Sequence, residues 1–283
     1  MSMDVLLRSK AARNRILFER LTEPLHLNCL SLFVWLFGSV RSKIDFDLII
    51  RQHYAFAVLK AADDAKAMGL KRLKIIEFGV GPGAGLLKLQ AIAGKVSRIT
   101  GVEFEIYGFD VGEGMPAVQS YRDMPDAFPK DSYKTDLTDL LPKLDDNVHL
   151  VIGDVSQTVG PWMDDHLSPK SPIGFIAFDL DMYYGTKAAM KVLQGPPDSY
   201  LPQFWCCLDD VRNSRICSKL GELLAVDEFN QENELRSIEE YPFLKTERLF
   251  KNAGWIHQMR SVNIIDHPTR RVQLQTSDPK WLV

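Results

Sequence analysis

The segment IIEFGVGPGAG, residues 75–85, constrains this chain more than any other stretch. The apolar run over 71–78 is bounded by charge on one side and glycine on the other, which predicts a short buried strand. Beyond it, 84–93 (AGLLKLQAIA) spaces its apolar residues for a helix, so Gly79, Gly81, Gly83 and Gly85 fall at a strand-to-helix turn. Glycine there lets the backbone take positive φ and lets a ligand approach where a Cβ would collide, while the helix start offers unpaired N–H groups. Such a turn is a nucleotide-binding position. Its pattern is GxGxGxG, without the helix-packing third glycine of GxGxxG, and Glu77 stands two residues ahead of the first glycine.

The remaining chain alternates strand and helix signals around this turn. Residues 46–68 read as one long helix, capped by Asp45 or Asp47 and stopped by Gly69, that leads directly into the first strand. Further strands are predicted over 103–110, 148–154, 173–181 and 204–210, and helices over 135–144, 185–193 and 221–234. A last pair of strands, 246–251 and 259–265, is close enough in sequence to pair antiparallel. Alternation of this kind gives a parallel sheet covered by helices on both faces. The organisation expected is an N-terminal helical extension, 1–45, followed by one α/β domain, 46–283.

With 46% hydrophobic and 25% charged residues the chain can bury a sizeable core. A net charge of -3 gives it no general attraction to nucleic acid. Cys29, Cys206, Cys207 and Cys217 lack metal-binding spacing and suit free thiols in a reducing, cytoplasmic setting. The longest apolar run, CLSLFVWLFGSV at 29–40, is too short to cross a bilayer, so no transmembrane segment is expected. Such a run does not stay solvated. It reads as a helix covering its own domain or joining two copies as a homodimer; with Arg8, Lys10, Arg13, Arg15 and Arg20 ahead of it, a membrane-surface helix is the alternative.

Each predicted parallel strand ends in acids: Glu77, Asp110, Asp154, the pair Asp179 and Asp181, and the pair Asp209 and Asp210. Ligands of open α/β sheets bind outside the carboxyl ends of the strands. One strand-end acid is commonly a helix cap or turn former, but the recurrence argues for a site. An acid followed by GxGxG resembles the first motif of the S-adenosylmethionine-dependent methyltransferases. Three later segments, FIAFDLDMYYGTKAAMKVL, FWCCLDDV and GELLAVDEFNQEN, resemble the macrocin O-methyltransferase family of sugar methyltransferases. The matching residues are Asp179, Asp181, Tyr183 and Thr186, then Asp209 and Asp210, then Gly221, Ala225, Val226 and Phe229.

The resemblance implies a class I methyltransferase fold, a Rossmann-like, doubly wound, seven-stranded and mostly parallel sheet. It implies S-adenosylmethionine as cofactor, held by Glu77, Gly79, Gly81, Gly83, Asp110, Asp154 and Asp179. Asp110 would accept from the ribose hydroxyls, Asp154 from the adenine amine, and Glu77 would steer the ammonium directly or through water. Asp181, Asp209 and Asp210 would bring three carboxylates to one point, where a bound cation relieves their repulsion, and oxygen-only ligands suit Mg²⁺. A cation lowers the pKa of an acceptor hydroxyl, so Asp181 and Asp209 are the expected catalytic residues and a hydroxyl of a sugar or other small molecule the expected acceptor. A nicotinamide-dependent oxidoreductase could use the same turn and Asp110, but it leaves the DxD and DD strand ends idle. The remaining alternative is a binding protein that keeps the fold without turnover. His53 and His257 read as structural, Tyr183 and Tyr184 line or underlie the acceptor site, and Cys206 and Cys207 lie inside a central strand.

Overall fold

The computed structural model describes residues 17–127, 133–212 and 215–272. Seven strands form one sheet in the order β3-β2-β1-β4-β5-β7-β6. They are β1 (Arg72–Phe78), β2 (Glu103–Asp110), β3 (Val148–Ile152), β4 (Ile173–Phe178), β5 (Tyr200–Leu208), β6 (Arg236–Glu239) and β7 (Met259–Ile264). Strands β1 to β5 run parallel, and β7 lies antiparallel between β5 and β6. This is the expected doubly wound, seven-stranded, mostly parallel sheet.

The parallel strands are buried because helices cover the sheet, and that burial explains their continuous apolar runs. In β1, six of the seven residues are buried, Glu77 among them. Helix α3 (Gln52–Ala67) lies over β1, β4 and β5 and packs on α4 (Ala84–Thr100). Its small residues Ala55, Ala57, Ala61, Ala62 and Ala65 are all buried, which lets the helix approach the sheet closely. Helices α6 (Val155–His166), α7 (Tyr183–Ala189) and α8 (Gly221–Glu232) pack on one another as a second group, while α5 (Leu137–Leu140) is a single turn. The chain runs outward from β1 to β3 and then returns to β4, so the strand order reverses between β1 and β4. Ligand crevices of open α/β sheets lie at such a point.

Three readings of the sequence are corrected. The helix expected over 46–68 begins only at Gln52, because Asp47 and Arg51 take left-handed φ of 53° and 59°. Asp47 is no cap: its carboxylate accepts from Arg248 Nη2 at 2.9 Å and Trp255 Nε1 at 3.0 Å. The strand expected over 246–251 is instead the short helix α9 (Leu244–Glu247) and its exit, and the partner of β7 is β6. Helix α6 escaped the periodicity reading, and Pro161 inside it is the reason.

The N-terminal extension is helical, with α1 (Leu25–Phe37) and α2 (Val40–Asp45). Helix α1 is inverted. Ser31 is its one buried residue, and Asn28 and Ser31 bond Arg20, whereas Leu25, Leu32, Phe33, Trp35, Leu36 and Phe37 are exposed. The segment before it is tied down by charge: Arg20 donates to Phe46 O at 2.6 Å and Asp47 O at 3.1 Å and stacks over Phe250.

Removing one partner of a buried ion pair leaves the other charge uncompensated. Asp47→Ala, which leaves the buried Arg248 only the longer pair with Asp45 at 3.8 Å, is expected to cost about 3–5 kcal/mol in urea unfolding. A loss within experimental error would show that the pair does not hold the N-terminal segment.

Candidate functional site

The glycine turn closes the carboxyl end of β1 over the reversal point. Gly79 has φ 88°, and a Cβ there would lie 1.8 Å from the carbonyl oxygen of Asp179, so only glycine lets β1 and β4 meet this closely. Gly81 and Gly83 also take left-handed φ, 50° and 85°, and Gly83 caps α4. A Cβ on Gly85 would fall 2.0 Å from Glu77 Oε1, because Glu77 runs beneath the helix start.

Glu77 is fully buried. Its Oε1 accepts from the Tyr54 hydroxyl at 2.8 Å, and the same hydroxyl accepts from Arg51 Nη1 at 3.2 Å. Oε2 has no hydrogen-bond partner. Burial pushes the Glu77 pKa up to about 7 although Arg51 and Tyr54 pull it down. Glu77 thus has no surface open to solvent, and its polar neighbours are Tyr54 and Arg51. Arg51 also reaches Asp179, Nη1 to Oδ2 at 3.6 Å. Burial opposes the Arg51 charge, yet the oxygens of Tyr54, Glu77, Asp179 and Asp209 raise its pKa on balance.

Asp110 holds the turn from β2. Its Oδ2 accepts from Gly81 N at 2.8 Å, and Oδ1 from Gly112 N at 2.6 Å. The Thr135 hydroxyl stands 2.9 Å from Oδ1 and 2.8 Å from Gly81 O. Asp110 and Thr135 together fix the turn at Gly81. Asp154, by contrast, is exposed at the end of edge strand β3 and caps α6, accepting from Ser156 N at 2.8 Å and Ser156 Oγ at 2.7 Å. That is the ordinary work of a strand-end acid.

A second group of carboxyls gathers at the ends of β4 and β5. Asp181 takes a left-handed φ of 63° and shares a hydrogen bond with Asp210. Burial, then the bond to Asp181, pushes the Asp210 pKa up to about 11. Asp210 N donates to Glu222 Oε2 at 3.1 Å at the start of α8, and Glu222 is fully buried. Asp209 Oδ1 accepts from Gln258 Nε2 at 2.9 Å. Asp210 Oδ2 and Glu222 Oε1 are buried without partners. Asp179, Asp181, Asp209 and Asp210 are thus brought to one end of the sheet, yet among the described residues no three acidic, histidine or cysteine side chains are grouped to hold a metal ion.

Arg51, Tyr54, Thr135, Glu222 and Gln258 join this site without having been singled out from the sequence. Glu222 alone had a signal, since it follows Gly221 in a recognised segment. A cavity of about 430 Å³ opens elsewhere, beside Arg72, Glu103 and Asn147 at the amino ends of β1 to β3.

The burial of Glu77 has a pH signature. Its pKa is raised from 4.5 to about 7, so its contribution to stability is complete below about pH 4.5 and is lost as pH rises to about 7, on the order of 3 kcal/mol. The charged and titratable groups that face it are Arg51, Tyr54, Asp209 and Asp110. Between pH 5 and pH 8 the parent is expected to lose more unfolding free energy than Glu77→Gln by roughly that amount. Parallel pH profiles for the two proteins would overturn the assignment.

No family model and no curated protein matches the chain significantly. Among solved structures, the calicheamicin methyltransferase CalS11 is 22% identical over 69% of this chain and 78% of its own, with a TM-score of 0.46. An O-methyltransferase from Bacillus cereus in complex with SAH is 13% identical over 67% of this chain and 73% of its own, TM-score 0.38. The methyltransferase MycE, in complex with Mg, SAH and mycinamycin VI, is 11% identical over 68% of this chain and 45% of its own, TM-score 0.33. The strand order with its antiparallel β7, and the glycine turn after β1, make this the fold of the class I S-adenosylmethionine-dependent methyltransferases.

Proposed function

We propose that the protein is an S-adenosylmethionine-dependent O-methyltransferase acting on a hydroxyl of a sugar or other small molecule. One observation carries the reading: the glycine turn and the carboxyls of Asp110, Asp179, Asp181, Asp209 and Asp210 meet where the strand order of a methyltransferase sheet reverses. In this reading the glycine backbone and Asp110 hold the adenosine, with the ribose hydroxyls replacing Thr135 at Asp110. Arg51, fixed by Tyr54 and Glu77, orients Asp179 beside the methionine portion. Asp154 stays in the proposal as a contact for the adenine amine, although it caps α6.

The transfer forms an O–CH₃ bond as the S–CH₃ bond breaks, the sulfonium becomes a neutral thioether, and the hydroxyl proton passes to a carboxylate, Asp181 or Asp209. Holding the oxygen in line with the methyl supplies most of the acceleration. Mg²⁺ belongs to the proposal as a partner of Asp181, Asp209 and Asp210; the unpartnered Asp210 Oδ2 supports it. When bound, the cation would lower the pKa of the acceptor hydroxyl.

The nicotinamide alternative loses ground on two observations. Its dinucleotide-binding sheet has the strand order 3-2-1-4-5-6, whereas β7 here lies antiparallel between β5 and β6. Tyr183 and Lys187 have the Tyr-x-x-x-Lys spacing of such enzymes, but both bond Glu228 of α8, at 2.5 and 2.6 Å. Assembly as a homodimer through the exposed apolar face of α1 is the accompanying proposal.

Calorimetry is expected to show that S-adenosylhomocysteine binds and NAD does not, and the reverse result ends the methyltransferase reading. Asp110→Ala is expected to weaken S-adenosylhomocysteine by on the order of 2–4 kcal/mol, and an unchanged dissociation constant would rule out the ribose contact. Chelation should leave cofactor affinity intact and abolish turnover, with Mg²⁺ restoring it; turnover that survives chelation removes the metal from the proposal and leaves a carboxylate base. Phe33→Ser with Trp35→Ser should halve the mass measured by light scattering, and an unchanged mass would place the interface elsewhere.

A further inference from the structure

Arg51 stands where the chain enters α3, and most of its hydrogen-bonding capacity is unused. Its guanidinium lies over the Tyr54 ring, 4.9 Å from the ring centre. Of the five N–H groups that an arginine carries, one, on Nη1, donates to the Tyr54 hydroxyl at 3.2 Å. Nε and Nη2 donate to no described residue, and neither is sealed from solvent: the side chain keeps 26% of its surface. Nη2 stands 3.2 Å from the place of a Cβ on Gly85, so the free edge of the guanidinium lies against the first turn of α4, beside the glycine turn.

Asp179 is in the same state. Its carboxylate accepts no hydrogen bond from any described residue and keeps 20% of its side-chain surface. The approach of its Oδ2 to Arg51 Nη1, 3.6 Å, is longer than a hydrogen bond. Charged pairs of this kind are ordinarily closed by short, charge-assisted bonds, and this one is open on both sides. Arg51 also takes φ 59° and ψ 63°, a left-handed conformation that few non-glycine residues enter and that clusters at ligand sites.

Charge decides what the pair can take. Arg51 faces three carboxyls, Glu77, Asp179 and Asp209. A lone carboxylate entering here would meet that excess of negative charge, and a lone ammonium would leave the guanidinium edge unused. An α-amino acid carries both groups and satisfies both open partners at once: its carboxylate accepts from Nε and Nη2, and its ammonium donates to Asp179.

We propose that Arg51 holds the carboxylate of the cofactor's amino-acid portion, beside Asp179 on the ammonium, so that the pair selects a nucleoside carrying a complete α-amino acid. The assignment rests on the S-adenosylmethionine reading. Calorimetry on the full chain tests it with three ligands: S-adenosylmethionine; its decarboxylated form, which keeps the ammonium and the sulfonium; and 5′-methylthioadenosine, which lacks the amino-acid portion. The parent is expected to bind S-adenosylmethionine about ten- to a hundredfold more tightly than the decarboxylated form, as hydrogen bonds to a charged group imply. Arg51→Gln should erase that difference by weakening S-adenosylmethionine, and should leave 5′-methylthioadenosine affinity unchanged, which also shows that the variant folds. Arg51→Lys, which keeps the charge and loses the planar fork, should fall between the two. Equal affinity of the parent for S-adenosylmethionine and its decarboxylated form would overturn the assignment and leave the methyltransferase reading standing. So would an Arg51→Gln variant whose three affinities fall together, the mark of a purely structural role. A parent that binds none of the three would remove the cofactor reading and this assignment with it.

Discussion

A carboxyl group buried beneath a helix start is the constraint on which the rest of this site depends. Glu77 has no solvent, and one of its oxygens has no partner, so its neighbours must supply what water would. Tyr54 and Arg51 do so from the first turn of α3, which requires Arg51 to take a left-handed φ of 59°. Gly85 must lack a side chain because Glu77 Oε1 occupies the place of its Cβ. One buried acid thus sets the entry of α3, the first turn of α4 and the position of Arg51 beside Asp179. The glycine turn is shaped from below by this group and from the front by Asp110.

The carboxyls beyond it create an electrostatic problem that the structure meets in two ways. Near Arg51, Asp179 is balanced by a guanidinium. Farther out, Asp181 and Asp210 share a hydrogen bond, and Asp209 is held by the neutral donor Gln258. Like charges at the end of two neighbouring strands cannot all ionise without a cation or a proton between them.

The N-terminal segment belongs to this arrangement and is more than an appendage. Glu19 meets Arg212, two residues beyond Asp210, and Glu23 meets the backbone of Asn252. The guanidinium of Arg212 packs against Gly254, in the place a Cβ there would take. Through these contacts the segment is held on the domain, while α1 turns its apolar surface outward.

What the sequence by itself determined is the central sheet and the placing of its acids. Parallel strands buried on both faces are continuous apolar runs, and glycines or acids end them, so β2 over 103–110 and the strand-end positions of Glu77, Asp110, Asp179 and Asp209 were legible from local pattern. Where structure depends on partners distant in sequence, that pattern is silent. Asp47 is drawn from its expected capping role by Arg248, 201 residues away. The four-residue strand β6 alternates only briefly and is specified by pairing with β7. The place of Arg51 beside Glu77 and the role of Asp154 as a cap were decided by tertiary structure alone, because charge pairing and burial act through space and leave no period along the chain.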